Sequence, residues 1–325
     1  MCTAIAVSAK NFYFGRNLDN EFVYGEKVTV TPKNYPFHFT GGKVLGSHCA
    51  IIGMASVVDG YPLYFDAVNE KGLGMAGLSF PNNAVYNNPV YGKENIASFE
   101  VIPYILTTCA DVGEAKKALE NANITNIPFR SDLPPTPLHW IISDKSRSIT
   151  VEQTKNGLSL FDNPCGVLTN NPTFDIQLFN LTNYLSLSPH DPHNGFSDTL
   201  ALSPYCKGMG ALGLPGDLSS MSRFVKAAFT KLNSVYGNTE IEAVTQFFHV
   251  LYSVYQQKGC VITSHGYEIT SYSCCCNCDK GVYYYTTYRN HRINAVDMHL
   301  ENLDADTVIS YPLDTETEFN IVNKK

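Results

Sequence analysis

The sequence has few charged residues, and neither sign of charge is concentrated in one place. Only 16% of its 325 residues are Asp, Glu, Lys or Arg, and 23 Lys and Arg stand against 30 Asp and Glu, for a formal net charge of −7. No cluster of Lys and Arg has the spacing that follows a phosphate backbone. We therefore expect no nucleic-acid partner.

Long apolar runs are also missing. No run reaches membrane-spanning length, and the first twenty residues, MCTAIAVSAKNFYFGRNLDN, hold no positively charged leader followed by a sustained apolar stretch. We expect no membrane partner and a cytoplasmic location. Thiols stay reduced in that compartment, so the 10 cysteines predict free thiols rather than a disulfide framework.

A complete metal-binding motif is absent as well. The segment SYSCCCNCDKG has one C-x-x-C, from Cys275 to Cys278, but no second pair and no H-x-x-x-H. It lies between strand-like runs, where neighbouring side chains point to opposite faces. We predict no metal site here, and we expect no cofactor. A thiol-redox or metal-binding protein that uses the cluster Cys274, Cys275, Cys276 and Cys278 remains an alternative.

The chain has many short strands and few helices. Apolar alternation, β-branched residues and punctuating Gly and Pro predict strands at TAIAV, FYFGRN, KVTVTP, CAIIGMASVV, YPLYFDAV, GLGMAGLSF, LHWIISD, SITVEQT, LSLFD and GVYYYTTY. Strands precede and follow the helices, without βαβ alternation or a Gly-rich phosphate loop. This order predicts an α+β fold built on antiparallel sheet, which we take as a single domain over residues 1–325.

Helical spacing appears in four segments, SFEVIPYILTTCA, DVGEAKKALENAN, SSMSRFVKAAFTKLNSVYG and EIEAVTQFFHVLYSVYQQ. Asp111 is a predicted N-cap, with Glu114 three residues later in a capping-box pattern. The third segment predicts a helix that Ser219 or Ser220 caps and Gly237 ends. Its expected buried face consists of Phe224, Ala228, Phe229, Leu232 and Val235.

Two stretches read as long loops. The segment 126–139, NIPFRSDLPPTPLH, is rich in proline, and the segment 187–220 is rich in Pro, Gly, Ser and Asp. Loops of this length in a compact domain are usually functional or mobile. We therefore expect both to form the rim of a binding site.

Cys2 has two interpretations on the residues alone. Free cysteine is often a small buried hydrophobe, which fits the entry to the first predicted strand. If Met1 is removed, Cys2 instead carries a thiol and a free α-amine, whose unperturbed pKa is about 7.7 to 8.0. One residue would then supply both nucleophile and base.

Five motifs in one order decide between these interpretations. They are MCTAIAV, YFGRNLD, NEKGLGMAGLSFP, LTNNPTF and GLPGDLSSMSRFVKA. Together they resemble the choloylglycine hydrolase family, which holds bile salt hydrolases and penicillin V acylases, and they are most similar to the bile salt hydrolases of lactic-acid bacteria and enterococci. The resemblance covers nearly the whole chain. It implies an N-terminal-nucleophile hydrolase fold, a four-layer αββα arrangement with two stacked antiparallel sheets, and a homotetramer.

The resemblance also implies the catalytic residues. The nucleophile falls on Cys2, and a guanidinium at Arg16 favours its thiolate form. Asp19 orients the N-terminal amine, as the third member of a triad orients the base. Asn170 is expected to donate an N–H to the oxyanion, and Arg223 to complete the charge network around Cys2. Taken alone, each has an ordinary structural reading, such as an exposed ion pair or a turn residue.

One position departs from the family pattern. Bile salt hydrolases of this family usually have asparagine, and penicillin V acylases often tyrosine, where GLSFP has Ser79. Serine fits neither, so this position does not choose the substrate. If the side chain at this position donates to the oxyanion, a water or a backbone N–H would replace the longer amide.

The family's apolar pocket wall maps onto Leu18, Phe65, Phe129 and Leu133, which would cover a flat steroid. Lys207 lies where relatives carry residues linked to glycine or taurine preference, and it would pair with the carboxylate or sulfonate. The expected partner is thus a conjugated bile salt. A penicillin V acylase is the alternative with the same chemistry, and an inactive binder of amphipathic steroids is the alternative without it.

Overall fold

The computed structural model describes residues 1–323, and their secondary structure is dominated by strands. In chain order the strands are β1 (Cys2–Ser8), β2 (Phe12–Asn20), β3 (Lys27–Thr31), β4 (Phe37–His38), β5 (Val44–Leu45), β6 (Ile51–Val58), β7 (Tyr61–Asn69), β8 (Gly74–Ser79), β9 (Glu94–Ala97), β10 (Ala122–Thr125), β11 (Leu138–Ser143), β12 (Ser148–Thr154), β13 (Gly157–Asp162), β14 (Val167–Leu168), β15 (Ile262–Thr263), β16 (Gly266–Tyr267), β17 (Ile269–Asn277), β18 (Val282–Thr287), β19 (Asn294–Asp297) and β20 (Ile309–Pro312).

Five α-helices and four short 3₁₀ turns complete the regular structure of residues 1–323. The helices are α1 (Val101–Thr108), α2 (Val112–Glu120), α3 (Phe174–Asn180), α4 (Ser220–Asn233) and α5 (Glu240–Tyr252). The 3₁₀ turns are Ser98–Glu100, Leu181–Tyr184, Met209–Ala211 and Met298–Leu300.

Two large sheets form the centre of the molecule. One has six strands in the order β14-β1-β2-β17-β18-β19, and the other has eight in the order β13-β12-β11-β8-β7-β6-β3-β20. Every pair of neighbours in both sheets is antiparallel. The predicted α+β fold on antiparallel sheet is therefore confirmed.

The two sheets stack between helical layers. Helices α4 and α5 pack on β1 and β17 of the six-stranded sheet, and α1 and α2 pack on β7, β8 and β11 of the eight-stranded sheet. Neighbouring strand residues point to different cores because side chains alternate along a strand. Ile52 and Ile141 belong to the core shared with the six-stranded sheet, whereas Ile51 and Ile142 belong to the core under α1. The expected αββα layers are confirmed.

Local signals predicted the helix beginnings well. The Asp111 side chain accepts a hydrogen bond from the Glu114 N–H at 2.9 Å, as an N-cap does. The Glu114 carboxylate, however, accepts from the Ala110 N–H rather than from that of Asp111. Helix α5 begins with a full capping box between Thr239 and Glu242.

Two sequence-based expectations were wrong in detail. The cysteine cluster does not lie between strands, because Cys274, Cys275 and Cys276 are inside β17, and all three are fully buried. Helix α4 ends at Asn233, and Leu232 and Val235 are exposed. Helical spacing shows which residues share one face of a helix, but it does not show how much of that face the sheet covers. The predicted face therefore includes Leu232 and Val235, which are exposed.

Within residues 1–323, no helix combines the length and the apolar character that crossing a bilayer requires.

We predict that Gly15→Ala strongly destabilises the fold, because a Cβ at Gly15 would lie 2.9 Å from the Cys275 Cα and against the Cys274 carbonyl. These neighbours are backbone atoms of β17 and cannot move aside. Overpacking of this kind costs about 1–3 kcal/mol or more. Gly46→Ala is the matched control, because nothing lies within 4 Å of a Cβ there. Urea unfolding of both variants tests this, and equal stability would contradict the close approach of β2 and β17.

Candidate active site

The pairing of β1 with β2 sets the position of Cys2. Cys2 lies opposite Leu18, and Ala4 lies opposite Arg16. Because paired residues point to the same side of a sheet and neighbours alternate, Cys2 and Arg16 share one face. Asp19 belongs to the other face, together with Thr3. Because Arg16 and Asp19 are three residues apart, their side chains point to opposite faces of the sheet, and the Cys2 side chain shares the face of Arg16.

Arg16 occupies the face that meets the eight-stranded sheet. Its guanidinium is fully buried, and Nη1 donates to the carbonyls of Phe65 at 3.1 Å and Gly77 at 2.6 Å. Burial disfavours the charged form, but Cys2, Tyr272 and Asp66 outweigh that effect and raise the pKa of Arg16 above its usual value. Among residues 1–323 no acceptor meets Arg16 Nη2. Arg16 thus keeps its positive charge near Cys2, and its Nη2 keeps a donor that no described residue accepts.

Asp19 occupies the opposite face. Its Oδ1 accepts from the Thr270 hydroxyl at 2.6 Å, and its Oδ2 lies 3.9 Å from Arg223 Nη1. No hydrogen bond from residues 1–323 reaches Oδ2, although this atom is buried. Burial raises the pKa of Asp19, and Arg223, the chain's amino terminus and Thr270 oppose part of that rise. Oδ2 therefore remains available to accept from a nearby ammonium or amine.

The amino terminus extends β1 along Asp19. The Met1 amine donates to the Asp19 carbonyl at 2.7 Å, and the Asp19 N–H donates to the Met1 carbonyl at 2.9 Å. The Met1 amine also pairs with the carboxylate of Glu268, a residue just before β17. These contacts hold the first two residues inside the site.

Arg223, in the first turn of α4, ties three segments together. Its Nη1 donates to the Cys2 carbonyl at 2.5 Å and to the Thr3 hydroxyl at 2.6 Å, while Nη2 donates to Asn170 Oδ1 at 2.8 Å. Burial lowers the pKa of Arg223, and Asp19, Cys2 and Glu268 act against that shift. The guanidinium therefore fixes the backbone of Cys2 to α4.

Asn170 follows β14 and contacts both sides of the site. Its Oδ1 accepts from the Cys2 N–H at 2.8 Å and from Arg223, and both of those groups only donate, which fixes the orientation of the amide. Its Nδ2 donates to the Ser79 carbonyl at 2.7 Å. An amide NH₂ has two donors, so one N–H remains for an oxyanion.

The structure brings Ser79 to the site through its backbone. Ser79 is the last residue of β8, is half-buried, and uses its carbonyl to hold Asn170. Its hydroxyl forms no hydrogen bond with any residue in the range 1–323. A direct role of the hydroxyl in catalysis stays a prediction.

The predicted apolar wall comes from two parts of the chain, strands β2 and β7 and the proline-rich loop. Leu18 is buried opposite Cys2, and Phe65 is half-buried with its ring 5.9 Å from that of Tyr24 and its carbonyl on Arg16. Phe129 lies 5.5 Å from the ring of Tyr61.

Leu133 forms a backbone bridge within the same loop as Phe129, and Lys207 is exposed. In residues 1–323 no hydrogen bond or ion pair links Phe129, Leu133 or Lys207 to Cys2. Their contacts with substrate stay predictions.

Sequence reasoning missed Glu268, Thr270 and Ser220. Thr270 lies 251 residues from the Asp19 carboxylate that it contacts. The Ser220 hydroxyl accepts from the Asn170 N–H at 2.8 Å and lies 2.9 Å from the Thr169 hydroxyl. Only the pairing of β2 with β17 and the packing of α4 bring these residues near Cys2. Glu268 and Thr270 carry no local signal that the sequence could show, and the sequence indicates Ser220 only as a candidate helix cap.

The cysteine cluster serves the core. Burial raises the pKa of Cys274, Cys275 and Cys278 well above the usual thiol value, so these thiols are neutral. Cys274 donates to Asp66 Oδ1 at 3.3 Å. Across residues 1–323 no three His, Cys, Asp or Glu side chains form a group that would hold a metal ion. Neutral packed thiols do not support the redox or metal-binding alternative.

Known proteins resemble this chain over its length. A family model described as linear amide C–N hydrolases, choloylglycine hydrolase family, matches residues 2–311. A bile salt hydrolase/transferase of Lactiplantibacillus plantarum is 54% identical over 324 residues, which are 99% of this chain and 100% of that protein.

Solved structures agree with that result. A crystal structure of a variant conjugated bile acid hydrolase from Clostridium perfringens has a TM-score of 0.91 at 39% identity and covers 99% of this chain and 100% of its own. Penicillin V acylase from Agrobacterium tumefaciens has a TM-score of 0.73 at 20% identity, covering 97% of this chain and 92% of its own, and shares the fold.

We predict that Arg223 and Asp19 are energetically coupled. Arg223→Met leaves the buried Asp19 carboxylate without its main compensating charge, and the loss should be about 3–5 kcal/mol in the free energy of unfolding. Asp19→Asn should therefore cost less in the Arg223→Met background than in the parent protein. Urea unfolding of the four proteins measures this coupling.

The control is Asp132→Asn, which removes an exposed carboxylate in the proline-rich loop and should be additive with Arg223→Met. Additivity of the Asp19 and Arg223 substitutions as well would contradict the coupling.

Proposed function

The chain belongs to the choloylglycine hydrolase family of linear amide C–N hydrolases and has the N-terminal-nucleophile hydrolase fold, and from this membership we propose that it hydrolyses the amide bond of glycine- or taurine-conjugated bile salts. The L. plantarum relative is named a bile salt hydrolase/transferase. The observation that carries the proposal is the position of Cys2 at the head of β1, between Arg16 on one face and Asp19 on the other.

The first step needs the free α-amine of Cys2, which removal of Met1 produces. The amine takes the thiol proton, directly or through a water, and the thiolate attacks the amide carbonyl carbon. Arg16 stabilises the thiolate by its charge and its free Nη2 donor. A base with a pKa near neutrality suits proton transfer in both directions.

Three groups orient the amine. Asn170 Oδ1 already accepts from the Cys2 nitrogen at 2.8 Å, and Arg223 holds the Cys2 carbonyl at 2.5 Å. Asp19 Oδ2 offers the further acceptor that an ammonium requires once Met1 no longer occupies the strand. The lone pair of the amine is thereby directed toward the thiol, as a triad orients its base.

Attack forms a tetrahedral intermediate whose oxygen carries negative charge. The second N–H of Asn170 donates to that oxygen, and one such donor is worth about 3 kcal/mol. The ammonium of Cys2 then returns the proton to the departing nitrogen, the C–N bond breaks, and a thioester remains. Water hydrolyses the thioester and regenerates the thiol.

The substrate-facing features belong to the same proposal. Leu18, Phe65, Phe129 and Leu133 cover the steroid, and Lys207 pairs with the carboxylate or sulfonate of the conjugate. The protein acts in the cytoplasm as a homotetramer. Of the four apolar residues, half-buried Phe65 supports the steroid-covering role most directly, since its backbone carbonyl also accepts from Arg16.

The test is a side-by-side assay of glycocholate, taurocholate and penicillin V with the purified full chain, together with its intact mass. We expect fast release of glycine or taurine, slower cleavage of penicillin V, and a mass that lacks Met1. Cys2→Ala should abolish turnover because no other residue supplies the nucleophile.

Cys260→Ala, at an exposed cysteine, is the matched control and should leave the rates unchanged. Faster cleavage of penicillin V would favour the acylase alternative. Full activity of Cys2→Ala would overturn the mechanism.

A further inference from the structure

His139, in β11, is a completely buried histidine directly behind the oxyanion side of the site. Its Nδ1 lies 3.0 Å from Glu152 Oε1, and its Nε2 lies 2.9 Å from the Thr169 carbonyl oxygen. A carbonyl only accepts, so Nε2 carries the hydrogen. Thr169 immediately precedes Asn170. One ring N–H is thus committed to the backbone that carries the Asn170 amide.

The face of the same ring contacts a second segment of the site. It stacks on Phe80 with a centroid distance of 4.1 Å and an interplanar angle of 7°. Phe80 follows Ser79, whose carbonyl accepts from Asn170 Nδ2 at 2.7 Å. The ring therefore fixes the Ser79–Phe80 segment relative to Thr169, and these are the two segments that orient the Asn170 amide.

Glu152 extends this contact to the far end of the Asn170 segment. Its Oε1 also accepts from the N–H of Phe174, the first residue of α3, at 3.0 Å. Residues 169–174 are consequently held at their beginning by His139 and at their end by Glu152. Both residues lie on neighbouring central strands, β11 and β12, and both are at most 1% exposed. The support is rigid because it belongs to the sheet and not to a loop.

We propose that His139, with Glu152, is a positioning residue for amide hydrolysis. It holds the Thr169 carbonyl and the Phe80 ring so that Asn170 keeps its Oδ1 on the Cys2 nitrogen and its free N–H on the developing oxyanion. This inference rests on the proposed function. Because the oxyanion forms only after attack, loss of His139 lowers kcat and leaves KM nearly unchanged.

The test compares two substitutions at His139. His139→Leu removes the N–H to Thr169 and should lower kcat about 10- to 100-fold, since small misplacements of a catalytic group cost rates of this size. His139→Gln keeps an N–H within reach of the Thr169 carbonyl and should recover most of kcat. In both His139 variants, KM for the better of the two bile salts should change less than about twofold, because the oxyanion forms only after substrate has bound.

A control separates positioning from general stability. Thr31→Val removes a buried 2.7 Å hydrogen bond to Tyr64 in the same eight-stranded sheet, away from Asn170, and kcat should not change. Thermal unfolding of each variant shows whether it is folded at the assay temperature. If His139→Leu does not fold, Glu152→Gln takes its place. It keeps an acceptor for the Phe174 N–H but removes the carboxylate beside His139 Nδ1, and a smaller loss in kcat with an unchanged KM is expected.

Several results would overturn the inference. They are an unchanged kcat in a folded His139→Leu protein, equal impairment of the Leu and Gln variants, and a rise in KM without a loss in kcat. Absence of turnover in the parent protein would overturn the proposed function itself, and the two failures are therefore distinguishable.

Discussion

Two buried guanidinium groups lie on opposite faces of the β1–β2 pair, and Cys2 lies between them. Arg16 faces the eight-stranded sheet and the side of the thiol, whereas Arg223 faces the helical layer and holds the Cys2 backbone. The alternation of side chains along a strand separates the two charges without any loop. A guanidinium near Cys2 and the Asp19 carboxyl group near the amino terminus are the arrangement that the proposed nucleophile and base would use.

Burying these charges is costly, and the rest of the fold compensates for it. Arg16 donates to two carbonyls of the facing sheet, Arg223 donates to groups from three segments, and Asp19 receives the Thr270 hydroxyl. Buried charges persist where hydrogen bonds and opposite charges compensate for the lost hydration. Among residues 1–323, Arg16 Nη2 and Asp19 Oδ2 are the atoms of these three charged side chains that are buried without a hydrogen-bond partner. The stacked sheets therefore supply hydrogen-bond partners for buried charges as well as enclosing an apolar core.

The local features of this fold could be predicted from sequence, and the long-range ones could not. Apolar alternation placed β1, β2 and most strands of the eight-stranded sheet, and Asp111 marked the start of α2. The sequence pattern indicates that the cysteine segment lies between strands, although Cys274, Cys275 and Cys276 belong to the second half of β17. The exposed Leu232 shows the same limit for helices.

The site shows this division as well. Motifs identified Cys2, Arg16, Asp19, Asn170 and Arg223, and the structure brings all five together. Pairing between residues some 250 positions apart supplies Thr270 and Glu268, and strand-to-strand packing supplies His139, so no window of sequence could reveal them. The single-domain organisation, the homotetramer and the contacts of Phe129, Leu133 and Lys207 stay predictions.

The central claim is that one residue supplies both the sulfur and the base. It is tested most directly by acid quenching during turnover of a conjugated bile salt, followed by peptide mapping of the acyl adduct by mass spectrometry. The account predicts the acyl mass on a peptide that begins at Cys2 and lacks Met1. An acyl group on any other cysteine, or on a peptide that retains Met1, would contradict it.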